Sequence, residues 1–462
     1  MRQAVIAAVS TPPGKGGVAI IRISGEGALP LVDTLFVPRN KKPLSEHSPR
    51  TAVYGYICNK DGEVIDDGLG CYFPGGSSYT GDETVELSIH GGILVTRCVL
   101  ERIFEAGAMP AEPGEFTRRA FLNGRLSLSE VEAIGTLLEA RTEEQVRLSS
   151  KTARGRLKDR ISEIRASLLK TLSSIYARID YPEEDLGEFT DEEIIARLLD
   201  TRASLDRLIK TYRTGRAISE GISCVLAGKP NVGKSTLYNL LLGDEAAIVT
   251  DTPGTTRDIL ERDIPIGRVL VRLYDTAGVR DAEDGIEKIG IERTKEHIAN
   301  ADLILALFDL GREFDREDAE LLSLVSSARG AKLALLTKSD IASGIFDTGK
   351  LENIFDRVLT VSAEVSPEDA ILELSDTVNS LFTDDKISTS SDAIVASARQ
   401  HSALISSLGF IDAAIDAFRR GVPADAASSD IELALGAIGE VDGRAVSDDV
   451  VGEIFSHFCV GK

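Results

Sequence analysis

The 462-residue chain has no apolar run approaching the ~20 residues that a bilayer-spanning helix needs, so no membrane span is expected. It has no CxxC pair, and its five cysteines (Cys58, Cys71, Cys98, Cys224 and Cys459) are scattered. That pattern fits neither a zinc site nor a disulfide framework. A basic excess is also missing. The formal net charge is −22, which excludes a protein that coats nucleic acid through a positive face. Any RNA contact needs a local patch. Arg118, Arg119 and Arg125 offer one and the stretch Lys151–Arg165 another, with a solvated helix face as the alternative reading of each. No internal repeat is visible. The apolar stretch within MRQAVIAAVSTPPGKGG is too short for a signal-peptide core and fits a buried strand, so a cytoplasmic protein is expected.

The composition is that of a globular protein, with 43% hydrophobic and 27% charged residues. Two to four domains are expected at this length. Residues 1–120 are glycine-rich with short β-branched runs at Ala4–Val9, Val18–Ile23, Val53–Ile57 and Thr84–Ile89, which reads as a small α+β domain. Residues 121–220 turn helical. Ile161, Ile164, Leu168, Leu172, Ile175 and Ile179 form one stripe, and Ile194, Leu198, Leu205 and Leu208 a second. Pro182, in the acidic connector between them, ends the first helix. Residues 221–382 alternate the apolar strands SCVLAG, VLVRLYD, LILALF, KLALLT and VLTVS with helical segments. That alternation predicts a mostly parallel sheet with helices on both faces, and Cys224 reads as a small core residue. Residues 383–462 are helical again, with a stripe at Leu404, Leu408, Ile411, Ile415 and Phe418, after TDDKISTSSD, which reads as a linker. The expected fold is multidomain: α+β, then a helical domain interrupted by an inserted α/β P-loop domain.

GKPNVGKS, Gly228–Ser235, matches G-x4-G-K-[ST] between a strand and a helix. Its backbone N–H groups (Asn231, Val232, Gly233, Lys234, Ser235, Thr236) and the helix dipole suit phosphates. Lys234 would reach the outer phosphates and Ser235 would hold Mg²⁺. DTAG, at Asp275, Thr276, Ala277 and Gly278, ends a strand 40 residues after Ser235. It places a carboxylate for Mg²⁺ through water, and an N–H for the γ-phosphate. Thr255 and Thr256 lie between the two motifs and could close on Mg²⁺ only when a γ-phosphate is present.

TKSD, Thr337–Asp340, resembles the guanine-reading NKxD motif of GTPases. Asp340 would accept from N1 and N2 of guanine, a donor pair adenine lacks, and Lys338 would lie along the base. Thr337 replaces the usual asparagine, so one contact to base or P-loop is open. Ser362 and Ala363 resemble the last GTPase motif. The residue after DTAG is Val279, which cannot orient water as glutamine does. Asp281, Glu283, Asp284 and Glu287 are the nearby acidic candidates. Asn231 could help bind a monovalent cation against the phosphates.

Together with TPPGKGGVAIIRISG, SYTGDETVELSIHGG, PGEFTRRAFLNGRLSLSEVEAI and the terminal FCVGK, these motifs resemble the MnmE (TrmE) family of tRNA-modification GTPases nearly end to end. The resemblance implies a homodimer. It also implies a heterotetramer with an FAD protein, MnmG (GidA), that installs a carboxymethylaminomethyl group on C5 of the wobble uridine of certain tRNAs. It implies a tetrahydrofolate derivative, in the 5-formyl or 5,10-methylene form, bound by Arg22, Glu86, Arg125 and Lys462. It implies K⁺ held by Asn231, Thr250, Thr252 and Thr255, Mg²⁺ held by Ser235 and Thr256, and GTP contacted also by Thr250. Glu287, twelve residues after Asp275, matches the family's catalytic glutamate, and hydrolysis is coupled to pairing of G domains. Cys459 falls near the folate lysine, and its role stays open between the modification chemistry and a structural thiol. Two rival classes are a ribosome-maturation GTPase, for which no KH-type GxxG pattern in a βα context is seen after residue 382, and a regulatory switch without chemistry of its own.

Overall fold

A computed structural model of the chain describes residues 4–180, 190–242, 261–275, 296–341, 346–362, 365–389, 392–456 and 458–461. These form two compact units. The first comprises Met1–Gly135, Ala153–Ala177 and Ala424–Lys462, and the second Thr136–Thr152 and Arg178–Pro423.

The first unit is built on a sheet of β1 (Ile6–Val9), β2 (Val18–Ser24), β3 (Phe36–Pro38), β4 (Val53–Cys58), β5 (Val64–Phe73), β6 (Thr84–His90) and β7 (Met109–Pro110), in the order β3-β4-β5-β6-β2-β1-β7. All neighbours are antiparallel except β1 and β7. Side chains alternate faces along a strand. Ala19, Ile21 and Ile23 of β2 join Val85, Leu87 and Ile89 of β6 in a core with Val99 and Ile103 of the helix Ile93–Glu105. The intervening Arg22 and Glu86 therefore share the opposite face and stand directly across from one another. The end of the chain packs into the same unit. Phe455 is buried with Val131 and Val451, and Phe121 and Phe458 pack against them. Val460 bridges to Pro113, and Ser10 Oγ donates to Gly461 O at 2.9 Å. Gly461 has φ 100°, and a Cβ there would lie 2.0 Å from Val9 O, so only glycine fits.

Two helices carry the expected stripes. In Arg156–Asp180, Ile161, Ile164, Leu168, Leu172 and Ile175 are buried, while Ile179 is 38% exposed in the last turn, three residues before Pro182. In Asp191–Lys210 all four stripe positions are buried. A capping box at Thr190 and Glu193 fixes its start. The helix Ala398–Arg419 lies beside it, tied by a two-pronged Arg202–Asp412 pair at 2.5 and 3.2 Å.

The second unit holds the other sheet: β8 (Ile222–Gly228), β9 (Glu261–Ile266), β10 (Val269–Asp275), β11 (Leu303–Asp309), β12 (Ala331–Thr337) and β13 (Arg357–Thr360), in the order β13-β12-β11-β8-β10-β9. Every pair is parallel except β9 with β10. Cys224, Leu226, Leu305, Leu307 and Leu335 face one core with the helix Pro367–Phe382. Val225, Ala227, Ala306, Phe308 and Leu336 face another with Leu322 and Val325 of the helix Arg316–Ser326. Both faces are covered, which is why these strands read as unbroken apolar runs. Burial pushes the Cys224 thiol well up and makes it inert.

The segments on either side of residues 221–382 are tied together. Val395 N donates to Thr211 Oγ1 and Asp384 N to Thr214 Oγ1, each at 3.0 Å. Gly215 lets the backbones close, since a Cβ there would meet Val395 O at 2.0 Å. The stretch read as a linker is correspondingly packed. Ile387 sits against the buried Leu148, Ile218 and Ile394, and Thr389 Oγ1 donates to Glu144 at 2.7 Å. Asp392 serves a local turn there, accepting from Ser388 N at 2.8 Å.

Candidate functional site

β8 lies between β11 and β10, where the strand order reverses. In open α/β sheets ligands bind beyond the carboxyl ends of the strands at such a point. The P-loop leaves β8 there. Gly228 (φ 157°), Asn231 (φ 59°) and Gly233 (φ 102°) supply the unusual backbone angles that wrap it, and the helix Lys234–Leu242 follows at once. Asn231, Ser235 and Thr236 are exposed, Gly233 and Lys234 are half-buried, and Val232 is buried. Lys234 Nζ donates to Gly228 O at 2.7 Å and Lys229 O at 2.6 Å, so the ammonium lies across the loop. Asp275, at the end of β10, pairs in register with Leu226 of β8 and so lies at the same sheet end.

The segment expected to read the base, Thr337–Asp340, reaches this end from β12. Thr337 is 8% exposed, and its hydroxyl donates toward Val232 O of the P-loop at 2.7 Å and Phe308 O at 3.1 Å. The contact left open by the missing asparagine is therefore one to the P-loop. Lys338 takes φ 56°, and its ammonium donates to Asp309 at 2.7 Å. Burial pushes the Asp309 carboxyl up, but Lys338, the Gly311 N–H and Arg312 outweigh it and hold the group below the usual carboxylate range. Asp340 follows in a single 3-10 turn, Ser339–Ile341, and is exposed. Ser362 accepts from Ser366 N at 3.1 Å just beyond β13.

Two features of this site went unread in the sequence. Asp309 ends an apolar strand just as Asp275 does, and that parallel was the available signal. The other is Lys229, whose ammonium meets Asp315 and Asp318 at 2.7 Å each. Burial disfavours its charge, yet these two hydrogen bonds outweigh burial and raise its pKa. Their carboxylates also cap the helix Arg316–Ser326, so one cation ties the P-loop to that helix. Sequence separation hid the pair.

In the first unit Arg22 Nε donates to Glu86 Oε1 at 2.9 Å. The same guanidinium lies over the rings of Tyr79 (5.1 Å) and Phe116 (5.6 Å). Arg125 donates to Gly76 O at 3.1 Å, so Arg22 and Arg125 touch the same loop, residues 76–81. Buried hydroxyls of Ser24, Ser78, Thr80 and Thr84 lock that loop, with Ser24 Oγ 2.8 Å from Thr80 and 2.9 Å from Thr84. Beside it Asp82 Oδ2 is buried without a hydrogen-bond partner, which suits a ligand bearing N–H donors. Cys459 is exposed, and its carbonyl accepts from Gly114 N at 3.3 Å.

One expected RNA patch is reduced. Arg119 is 6% exposed, pairs with Glu115 at 2.7 Å and donates to Ala4 O at 2.9 Å, so it braces the fold. In the other stretch Lys158 pairs with Glu130 and Arg160 with Glu163. Thr250, Thr252, Thr255, Thr256, Thr276, Ala277, Gly278, Val279, Asp281, Glu283, Asp284, Glu287, Ala363 and Lys462 lie outside the described residues.

A sequence profile for the N-terminus of the GTP-binding protein TrmE matches residues 5–125, and one for the MnmE helical domain matches residues 128–459. A protein named tRNA modification GTPase MnmE from Alkaliphilus oremlandii is 37% identical over 458 residues, 99% of both chains. Its namesake from Carboxydothermus hydrogenoformans is 37% identical over 465 residues, 100% of both. Among solved structures, Era of Aquifex aeolicus bound to GDP and AlF4⁻ is 22% identical with TM-score 0.28, over 41% of this chain and 66% of that one. The G domain of the T. maritima FeoB iron transporter is 23% identical with TM-score 0.25, over 33% and 98%. With one profile spanning more than half of the sequence and relatives matching it from end to end, this chain belongs to the MnmE (TrmE) family of tRNA modification GTPases.

Proposed function

We propose that the protein hydrolyses GTP and couples that cycle to modification of C5 of the wobble uridine in certain tRNAs. In this reading it works as a homodimer with the FAD protein MnmG, and a tetrahydrofolate derivative donates one carbon. The observation that carries the nucleotide half is the Thr337–Val232 bond, which fastens the base-reading strand to the phosphate cradle at one sheet end. Lys234 and the P-loop N–H groups neutralise and orient phosphate oxygens, and Asp340 selects guanine. Ser235, exposed in the first helical turn, is a suitable Mg²⁺ ligand, and Mg²⁺ would supply charge neutralisation on the β and γ oxygens. Asn231, exposed at a positive-φ position, would present an amide oxygen to K⁺ together with Thr250, Thr252 and Thr255. Glu287 would orient the attacking water, and the G domains of two copies would pair while hydrolysis proceeds. Support for the folate half is the Arg22–Glu86 pair, the Arg22 guanidinium over the Tyr79 and Phe116 rings, and the unpartnered Asp82 oxygen. The cation and the ring faces suit the glutamate tail and the pterin of a folate, with Arg125 and Lys462 as further cations.

The tRNA reading is tested by mass analysis of tRNA nucleosides from a strain lacking the gene. Loss of the carboxymethylaminomethyl or aminomethyl uridines is expected, with recovery on re-expression; an unchanged nucleoside set sinks it. The cation reading is tested separately. GTP turnover in KCl is expected to exceed that in NaCl by at least ~10-fold, since the ion stabilises charge that forms in the transition state. Equal rates in the two salts remove Asn231 from that role.

A further inference from the structure

Thr337 has a single donor to give. A threonine hydroxyl carries one hydrogen, and here that hydrogen lies between two backbone carbonyls, Val232 O at 2.7 Å and Phe308 O at 3.1 Å. The methyl branch lies toward Gly233 of the P-loop, where an added Cβ would come within 3.7 Å of Thr337 Cγ2. The side chain is only 8% exposed. The hydroxyl hydrogen is therefore spent on backbone carbonyls of the P-loop and β11, and the methyl lies on the P-loop side.

Guanine presents N7 and O6 on one edge, and both are acceptors. Reading that edge takes a donor. An asparagine amide carries two hydrogens, enough to hold the Val232 carbonyl and still donate to N7. Threonine can do only the first. The neighbouring ammonium, Lys338 Nζ, is held by Asp309 at 2.7 Å. We infer that in this protein the first residue of the base-reading motif tethers the P-loop and leaves position 7 of the purine unread. Selection for guanine then falls on Asp340 at the N1 and N2 edge. This rests on the guanine-nucleotide reading proposed above.

The test is competition against a fluorescent GDP on the full-length protein, with GDP, 7-deaza-GDP, inosine diphosphate and ADP as competitors. GDP and 7-deaza-GDP are expected to agree within about threefold, less than the mid-range value of one neutral hydrogen bond. Inosine diphosphate, without the 2-amino group, is expected to bind about tenfold or more weakly, as for a lost hydrogen bond to a charged group. Thr337→Asn should open a preference for GDP over 7-deaza-GDP. A wild-type penalty above about threefold for 7-deaza-GDP overturns the inference. Parity in Thr337→Asn also counts against it, since the blindness would then not belong to Thr337. A variant that misfolds leaves the wild-type comparison to decide. If GDP and ADP compete equally, the guanine reading itself has failed, a result distinct from GDP outcompeting ADP while 7-deaza-GDP binds poorly.

Discussion

Lys234→Ala is expected to lower GTP turnover by roughly 100-fold or more and to weaken nucleotide binding at the same time. Removing one preorganised charge from a site where negative charge develops costs on the order of 10²–10³ in rate. Lys234 is placed for that role by the local fold. It opens the helix after the loop, and its ammonium already bridges Gly228 O and Lys229 O across the loop mouth. An arriving phosphate finds the cation in position and exchanges with neutral carbonyls, an exchange favourable to the charged pair. Alanine loses both the charge and the brace. Single-turnover hydrolysis with a parallel GDP titration checks this, and a variant keeping more than about a tenth of wild-type turnover would remove Lys234 from the phosphate site.

Glu287→Ala should separate binding from chemistry. Nucleotide affinity is expected to stay within about threefold, while turnover falls by roughly 10²–10⁴, the range for loss of a positioned proton-handling group. Val279 cannot orient water, and among the nearby carboxylates the family resemblance singles out Glu287, twelve residues past Asp275, for that task. Rapid-quench measurement of phosphate release on nucleotide-saturated protein reads the chemical step directly. Turnover equal to wild type ends the role assigned to Glu287, and loss of affinity together with rate points to a binding role instead.

The nucleotide-binding sheet was legible because β8, β11 and β12 are buried on both faces and β10 is largely apolar. SCVLAG, VLVRLYD, LILALF and KLALLT each correspond to an observed strand. β9 was not, since ERDIPI carries three charges and a proline. Pro265 is tolerable only because the strand lies at the sheet edge, paired solely with β10. β5 was missed for a related reason. VIDDGLGCYF has two aspartates and two glycines, and its pattern is mostly half-buried. Gly68 and Gly70 are there because neighbours press on them: a Cβ on Gly68 would meet Ser88 O at 2.1 Å, and one on Gly70 the Phe36 ring at 2.8 Å. Propensity reads those glycines as turns, whereas packing makes them strand. In the site itself, motif spacing gave the residues and their chemistry. It could not give the bonds between distant segments, such as Thr337 to Val232 across 105 positions or Lys229 to Asp318, because only the folded sheet brings those positions together.

The bonds from Thr211 and Thr214 to Val395 and Asp384 bear on the ancestry of such a chain. The nucleotide-binding block leaves and rejoins its host beside these two bonds, so its two ends are already adjacent. Genetic gain, loss or replacement of the whole cassette would require no rerouting of the flanking helices. An α/β block with adjacent ends can thus sit within a helical host without redesign of the host around it.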